Sequence, residues 1–282
     1  MKNFSRTASF IIIAIIYLLA SAVGVISYLL LPFHFAINLL VADVVATIFV
    51  FIFSLIFKNA SVYDPYWSVQ PIIIVIAFAT QHTLNATAIL PLIAICLWGL
   101  RLTANWAYTF NGLNHQDWRY TMLKENTKKW YFLINLIGIH LVPTLVVYAC
   151  TLPAVYLIVY PQAFNVGSVI FFILCCIAFI LQGVADVQMH VYKKERKTNF
   201  INIGLWKYSR HPNYLGEILM WWGVGLSLLV VQINFWYVCF GALINTLLFT
   251  FVSIPMAEKK QSKKEGFAEY KSKTRYLLPI KK

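Results

Sequence analysis

Apolar residues run along this chain in stretches of about 20, the length a helix needs to cross a bilayer, with polar residues punctuating them. Eight runs stand out: Ala8 to Leu31, His34 to Phe57, Tyr66 to Thr80, Ala88 to Phe110, Trp130 to Val159, Val166 to Val191, Tyr214 to Val231 and Phe235 to Pro255. The third is short, and the fifth is long and holds Pro143 and Pro153, so a kink, a tilt or partial re-entry is expected in either. The pattern predicts an all-α, polytopic transmembrane helical bundle of seven or eight helices. It forms a single membrane domain over residues 1–282, with no internal repeat. The first run follows Met1 to Arg6 much as a signal peptide would, but it is too long and lacks a small-residue cleavage site. It is expected to stay as the first membrane helix.

Composition agrees with a lipid-facing exterior, since 12% charged residues is about half the usage of soluble domains. The net charge of +13 does not point to nucleic acid, because Lys and Arg sit in short loops between apolar runs rather than on a soluble basic face. It orients the chain instead. If all eight runs cross, every one of the 23 basic residues falls on one side, and the loops near Pro32, His82, Pro161 and Gln232 carry none. Cytoplasmic loops collect Lys and Arg, so both termini are expected to be cytoplasmic. The five cysteines all lie inside apolar segments without metal-ligand spacing, which marks them as packing residues and predicts no metal.

Ionisable groups inside a bilayer are costly, so each is a functional candidate by default. Asp43 sits mid-run with no motif around it, and the plain reading pairs it with a neighbouring helix or with a cytoplasmic Lys or Arg. Asp64 follows in Ser61-Val62-Tyr63-Asp64-Pro65-Tyr66-Trp67, Asp186 lies near the end of the sixth run, and Glu217 opens the seventh. The densest cluster is Gly204 to Glu217, with Arg210-His211-Pro212-Asn213-Tyr214 at its centre. Pro212 suits a first helical turn, where its missing N–H leaves nothing unpaired, and Arg210, His211 and free backbone amides suit a phosphate or carboxylate at the positive helix end.

At this cluster, Trp206 to Glu217 resembles the signature of the steroid 5-alpha-reductase-like membrane proteins, particularly their large bacterial branch of uncharacterised function. Tyr63-Asp64-Pro65-Tyr66-Trp67-Ser68, Arg101-Leu102, Asp117-Trp118-Arg119-Tyr120, Ala185-Asp186-Val187-Gln188 and Ser253-Ile254-Pro255-Met256-Ala257-Glu258 stand in the order that branch has them. The motif-bearing core is thus about 63–280. The resemblance implies an NADPH-dependent oxidoreductase that reduces a C=C bond conjugated to a ketone, in the bacterial inner membrane. By the same resemblance, Asn213, Tyr214 and Glu217 contact the cofactor with Arg210 and His211 beside them. Gln182 and Asp186 form the adenosine-side pair, and Arg101, Arg119, Tyr120, Lys193 and Arg196 surround the phosphates.

For the substrate, Asp64 looks like the counterpart of the family's carbonyl-polarising Glu. Trp98 stands where the partner Tyr is expected, and an indole N–H donates a hydrogen bond but does not transfer a proton. Tyr66, Tyr63 or Tyr108 are the candidates to take that role, and a lipid, sterol or isoprenoid enone is the implied apolar substrate, alongside membrane lipids. Asp64 before Pro65 also has the form of a helix cap, and that reading stays open. Two other functions compete: a membrane methyltransferase using S-adenosylmethionine on an isoprenoid or phospholipid, and a lipid-binding scaffold without chemistry. The methyltransferase is disfavoured by Glu258-Lys259-Lys260, where paired acids would be expected. Oligomeric state is not written in the sequence.

Overall fold

The computed structural model describes residues 4–195 and 198–282. Its elements are α1 (Arg6–Leu30), α2 (Phe35–Ile56), α3 (Tyr66–Ala79), α4 (Ala86–Thr109), α5 (Trp118–Thr127), α6 (Tyr131–Leu133), α7 (Val142–Val159), α8 (Val166–Glu195), α9 (Pro212–Leu229), α10 (Phe240–Leu248), α11 (Ile254–Gln261) and α12 (Phe267–Lys273). Short 3₁₀ segments precede α3, α6, α9 and α10, and π-helical turns join α6 to α7 and α10 to α11. No strand occurs among the described residues.

Seven helical stretches among the described residues are long and apolar enough to cross a membrane: Arg6–Leu30, Phe35–Ile56, Ala60–Ala79, Ala86–Thr109, Trp118–Val159, Val166–Glu195 and Ile233–Gln261. They mark the chain as an integral membrane protein. Their outward faces are apolar, as Leu18, Leu29, Ile177 and Ile180 illustrate, which suits contact with lipid tails. The remaining expected span forms as helix α9, but Asn213, Tyr214 and Glu217 in its first two turns keep it out of the seven.

The chain divides into two compact units, one of residues Met1–Ile74 and Gly99–Tyr148, the other of Val75–Trp98 and Ala149–Lys282. In unit 1, α1 begins at Ser5, whose hydroxyl accepts from the Ala8 N–H at 3.1 Å and so meets one of the orphan donors of a helix start. Ile13, Ile16, Tyr17 and Ala20 turn one face of α1 onto Ala46 and Val50 of α2 and onto Val62, Tyr63 and Tyr66. The Tyr17 hydroxyl reaches the Val62 carbonyl at 2.7 Å. Close approach of α3 and α4 depends on Gly99, where a Cβ would stand 2.5 Å from the Ser68 carbonyl oxygen.

Unit 2 is organised on the pair α8 and α9. A Cβ at Gly216 would fall 2.4 Å from Cγ of Gln182, so the absent side chain sets how near the two helices lie. Gln182 and Ala185 of α8, and Leu215, Glu217, Ile218 and Met220 of α9, are all buried. The C-terminal residues fold back within this unit: the Arg210 N–H donates to the Arg275 carbonyl and the Arg275 N–H to the Tyr208 carbonyl. The Ser209 hydroxyl donates to Leu277 O at 2.6 Å and the Tyr270 hydroxyl to Trp206 O at 2.5 Å.

Candidate functional site

The start of α9 gathers most of the predicted cofactor residues. Before it, Gly204 adopts φ +56°, a left-handed backbone, and lies so close to Gln188 that a Cβ would stand 2.3 Å from its amide nitrogen. The Leu205 N–H donates to Gln188 Oε1 at 2.9 Å and the Trp206 indole to the Ala185 carbonyl at 3.1 Å, which ties the loop to α8. His211 then precedes Pro212 at the first helical position, as the sequence predicts.

Arg210 and His211 meet a residue to which the sequence assigned no role. Glu258 of α11 accepts from Arg210 Nε at 2.6 Å, lies 3.3 Å from His211 Nε2, and pairs with Lys271 Nζ at 2.6 Å. Arg210 Nη1 also donates to the Thr274 and Lys271 carbonyls. The guanidinium is buried, so this is a desolvated, hydrogen-bonded ion cluster in which loss of one partner is costly. Burial holds the His211 imidazole below its ordinary range, while Glu258 pulls it back up. The ring stacks on Tyr214 at 5.4 Å and 9°. Beside the cluster opens a recess of about 380 Å³ whose lining includes Ile254, Pro255, Lys259, Lys271 and Tyr276.

One turn into α9, the buried Glu217 carboxylate takes three donors: Trp98 Nε1 at 2.9 Å, Gln182 Nε2 at 2.9 Å and Trp221 Nε1 at 2.8 Å. Trp98 is fully buried and packs edge-on against Trp221, ring centroids 4.7 Å apart. The structure thus directs the Trp98 indole N–H and the Gln182 amide to Glu217. Trp221 had one sequence signal, its place four residues after Glu217 on the same helix face. Asn213 differs from its neighbours, because its Oδ1 is buried and has no hydrogen-bond partner in the protein. Asp186 is half-buried on α8 and Lys193 is exposed near its end, while Arg196 lies outside the described residues.

Unit 1 carries the other predicted residues. The half-buried Asp64 accepts a hydrogen bond from the Tyr120 hydroxyl at 2.6 Å, a partner 56 residues away. Arg119, expected to face a phosphate, forks onto Asp117, Nε to Oδ1 at 2.8 Å and Nη2 to Oδ2 at 3.3 Å, and Asp117 caps α5. Arg101 is half-buried on α4. Asp43 pairs with a neighbouring helix, as the plain reading of the sequence had it: Tyr66 donates to Oδ1 at 3.2 Å and Gln70 to Oδ2 at 2.5 Å. The Tyr66 hydroxyl is therefore occupied by Asp43, and the Tyr63 hydroxyl lies 2.8 Å from Thr144 Oγ1.

Residues 50–274 match a family pattern described as "Protein of unknown function (DUF1295)". The chain belongs to the DUF1295 family. The match takes in Asp64, Glu217 and Glu258, and so contains every residue of the α9 ion cluster together with the Asp64–Tyr120 pair. A similar protein is the uncharacterised protein C594.04c of Schizosaccharomyces pombe, 27% identical over an alignment of 193 positions that covers 58% of this chain and 56% of that protein. The chain thus spans just over half the length of that relative. No solved structure matches this DUF1295 protein.

Proposed function

We propose that this DUF1295 protein is an NADPH-dependent reductase of a C=C bond conjugated to a carbonyl, acting on an apolar lipid, sterol or isoprenoid. The resemblance of Trp206 to Glu217 to the steroid 5-alpha-reductase-like signature supports the reading. The observation that carries it is Asn213 Oδ1, a buried acceptor without a protein donor, set on the first turn of α9 between the basic cluster and Glu217. An unmet buried acceptor costs about 1–3 kcal/mol, and an amide N–H of a bound molecule is the chemistry that relieves it. Nicotinamide carries such an amide. Lys259 and Lys271 on the adjoining recess offer positive charge of the kind a nucleotide phosphate needs.

If bound, NADPH would supply the hydride to the β-carbon, and a proton from water would complete the reduction at the α-carbon. The remaining roles belong to side chains. Glu217 fixes Trp98, Gln182 and Trp221, and thereby α9 against α8. Glu258 holds Arg210 and His211 and so sets the backbone ahead of Pro212. Within unit 1, Asp64 is assigned as the acid that donates a hydrogen bond to the substrate carbonyl as negative charge develops on it, with Tyr120 orienting the carboxyl.

The test is a nucleotide titration of protein purified in mild detergent, following tryptophan-to-NADPH energy transfer. Wild type should bind NADPH, and Asn213→Ala should weaken binding about 5- to 100-fold while keeping its melting temperature. Unaltered affinity in folded Asn213→Ala would remove the assignment. A co-purifying adenosylmethionine-type nucleoside in place of NADP(H) would replace it with methyl transfer.

A further inference from the structure

We infer that unit 1 holds a separate binding site for the hydroxyl head of an apolar alcohol, built on His140 and Asn135. The inference does not rest on the reductase reading. Between α6 and α7 the helix loosens into a π segment, Ile134–Leu141, closed by a bond from the Val142 N–H to the Ile137 carbonyl five residues back. Such segments are rare and concentrate at functional sites. In this one His140 is wholly buried and Asn135 is 3% exposed.

The hydrogen bonds around these two side chains leave only acceptors. His140 Nδ1 lies 2.8 Å from the Asn135 carbonyl oxygen, and a carbonyl only accepts, so Nδ1 carries the proton and Nε2 of the uncharged ring presents its lone pair. Asn135 Nδ2 donates to Ser54 Oγ at 3.2 Å, which leaves Oδ1. Neither His140 Nε2 nor Asn135 Oδ1 has a hydrogen-bond partner in the protein. The neighbouring hydroxyls already bond to one another, Tyr63 with Thr144 at 2.8 Å and Thr144 with Thr47 at 3.0 Å. Within apolar helices no bulk water relieves the deficit.

The missing donor therefore comes from a bound molecule, and its class follows by elimination. A carboxylate or phosphate adds acceptors to acceptors. An ammonium needs a counter-charge, and Asp43, the buried carboxylate of α2, is taken by Tyr66 and Gln70. Among the described residues no cluster of His, Cys, Asp and Glu suits a metal ion. Of the uncharged donors, an amide brings a carbonyl acceptor that meets no free hydroxyl here, since Tyr63, Thr144 and Thr47 bond to one another, whereas a hydroxyl brings one O–H on an otherwise apolar body.

Aromatic packing indicates where that body comes from. The His140 ring lies 4.7 Å from Tyr63 and edge-on to Phe51 at 5.3 Å, and Phe51 is edge-on to Phe132 at 5.5 Å. Phe132 is 53% exposed, on a stretch long and apolar enough to cross a membrane. A row of rings thus runs from the exposed surface of this apolar stretch to the buried imidazole, a wall suited to an apolar chain or flat ring system entering from a bilayer.

The experiment compares farnesol with farnesyl methyl ether, which accepts a hydrogen bond but cannot donate one, on the protein in nucleotide-free lipid nanodiscs. Farnesol should raise the apparent melting temperature by several degrees and the ether should not, and His140→Phe should abolish the difference. A diazirine analogue of farnesol should label residues 131–148 or Phe51. Equal stabilisation by alcohol and ether, or by neither, overturns the site and leaves the two acceptors to buried water, as does labelling elsewhere. The wild-type comparison decides even where His140→Phe fails to fold, and with no nucleotide present the outcome leaves the reductase reading untouched.

Discussion

Asp64 is the residue at which two roles separate most sharply. As a cap for α3 it would tolerate Asn, whose side-chain oxygen accepts a backbone N–H as a carboxylate does. As the acid that polarises a carbonyl it does not, because an amide N–H is a far weaker acid and leaves the developing charge poorly stabilised. With the substrate in hand, Asp64→Asn should lower turnover at least about 100-fold while NADPH affinity stays within about twofold. Near-wild-type turnover would leave only the cap. His211 yields a prediction in pH. Burial depresses its imidazole, Arg210 and Lys271 add to that, and Glu258 opposes it, with Tyr214 and Tyr276 as its aromatic neighbours. A histidine ordinarily titrates near about 6.5, so as pH falls the unfolded chain takes up its proton first. Stability from this group is complete above about pH 6.5 and is lost as pH falls below it toward the depressed folded value. Melting curves should be flat from about pH 8 to 7 and decline below about 6.5, less steeply in His211→Gln. Parallel declines in the two proteins would remove the argument.

Among the elements, α8 and α9 carry the strongest constraint. They touch through Gly216, and the same contact brings the Gln182 amide onto Glu217. Gly216→Val places its side chain where Cγ of Gln182 now lies, so the helices separate and the Glu217 carboxylate loses a donor. Overpacking of this kind costs about 1–3 kcal/mol, and a buried carboxylate short of one hydrogen bond adds a similar amount. Gly216→Val should therefore melt well below wild type, whereas Gly138→Ala, where a Cβ meets only Ile134 Cγ2 at 3.8 Å, should melt close to it. Equal melting of the two would show that α8 and α9 have room to adjust. The helix start was legible in the sequence, because Pro212 and the polar residues around it are a local signal. The π segment Ile134–Leu141 was not, since its composition is that of any apolar helix and the looser winding shows only in the backbone hydrogen bonds.

At the scale of the whole molecule the open quantity is the number of crossings, and α9 decides it. It is helical and largely buried, yet its polar first turns leave seven stretches apolar enough to span. Eight crossings gather all 23 basic residues on one side, whereas seven with α9 not crossing send the nine after Glu258 to the other. The charge rule favours eight. Reporter fusions at Gln81, Gln162 and Gln232 should then report the side opposite to a reporter after Lys282. A Gln232 reporter on the same side as the tail fusion, or a tail opposite to the N-terminus, would sink the eight-crossing arrangement.

What the sequence by itself determined is whatever depends on neighbours along the chain. Apolar runs long enough to span, all-helical architecture, loop charge and the Pro212 helix start all repeat or terminate within a few residues, and period and composition express them directly. Tertiary structure alone decided the polar partners. Trp98 meets Glu217 across 119 residues, Arg210 meets Glu258 across 48 and Tyr120 meets Asp64 across 56. Each pairing depends on helix packing that brings two groups within 3 Å at a usable angle, and no periodicity encodes it. Glu258 could be quoted within its motif but not paired, and Trp98 could be named a donor while the carboxylate that receives its N–H stayed hidden, because a hydrogen bond is specified by direction and distance in space and not by separation in the chain.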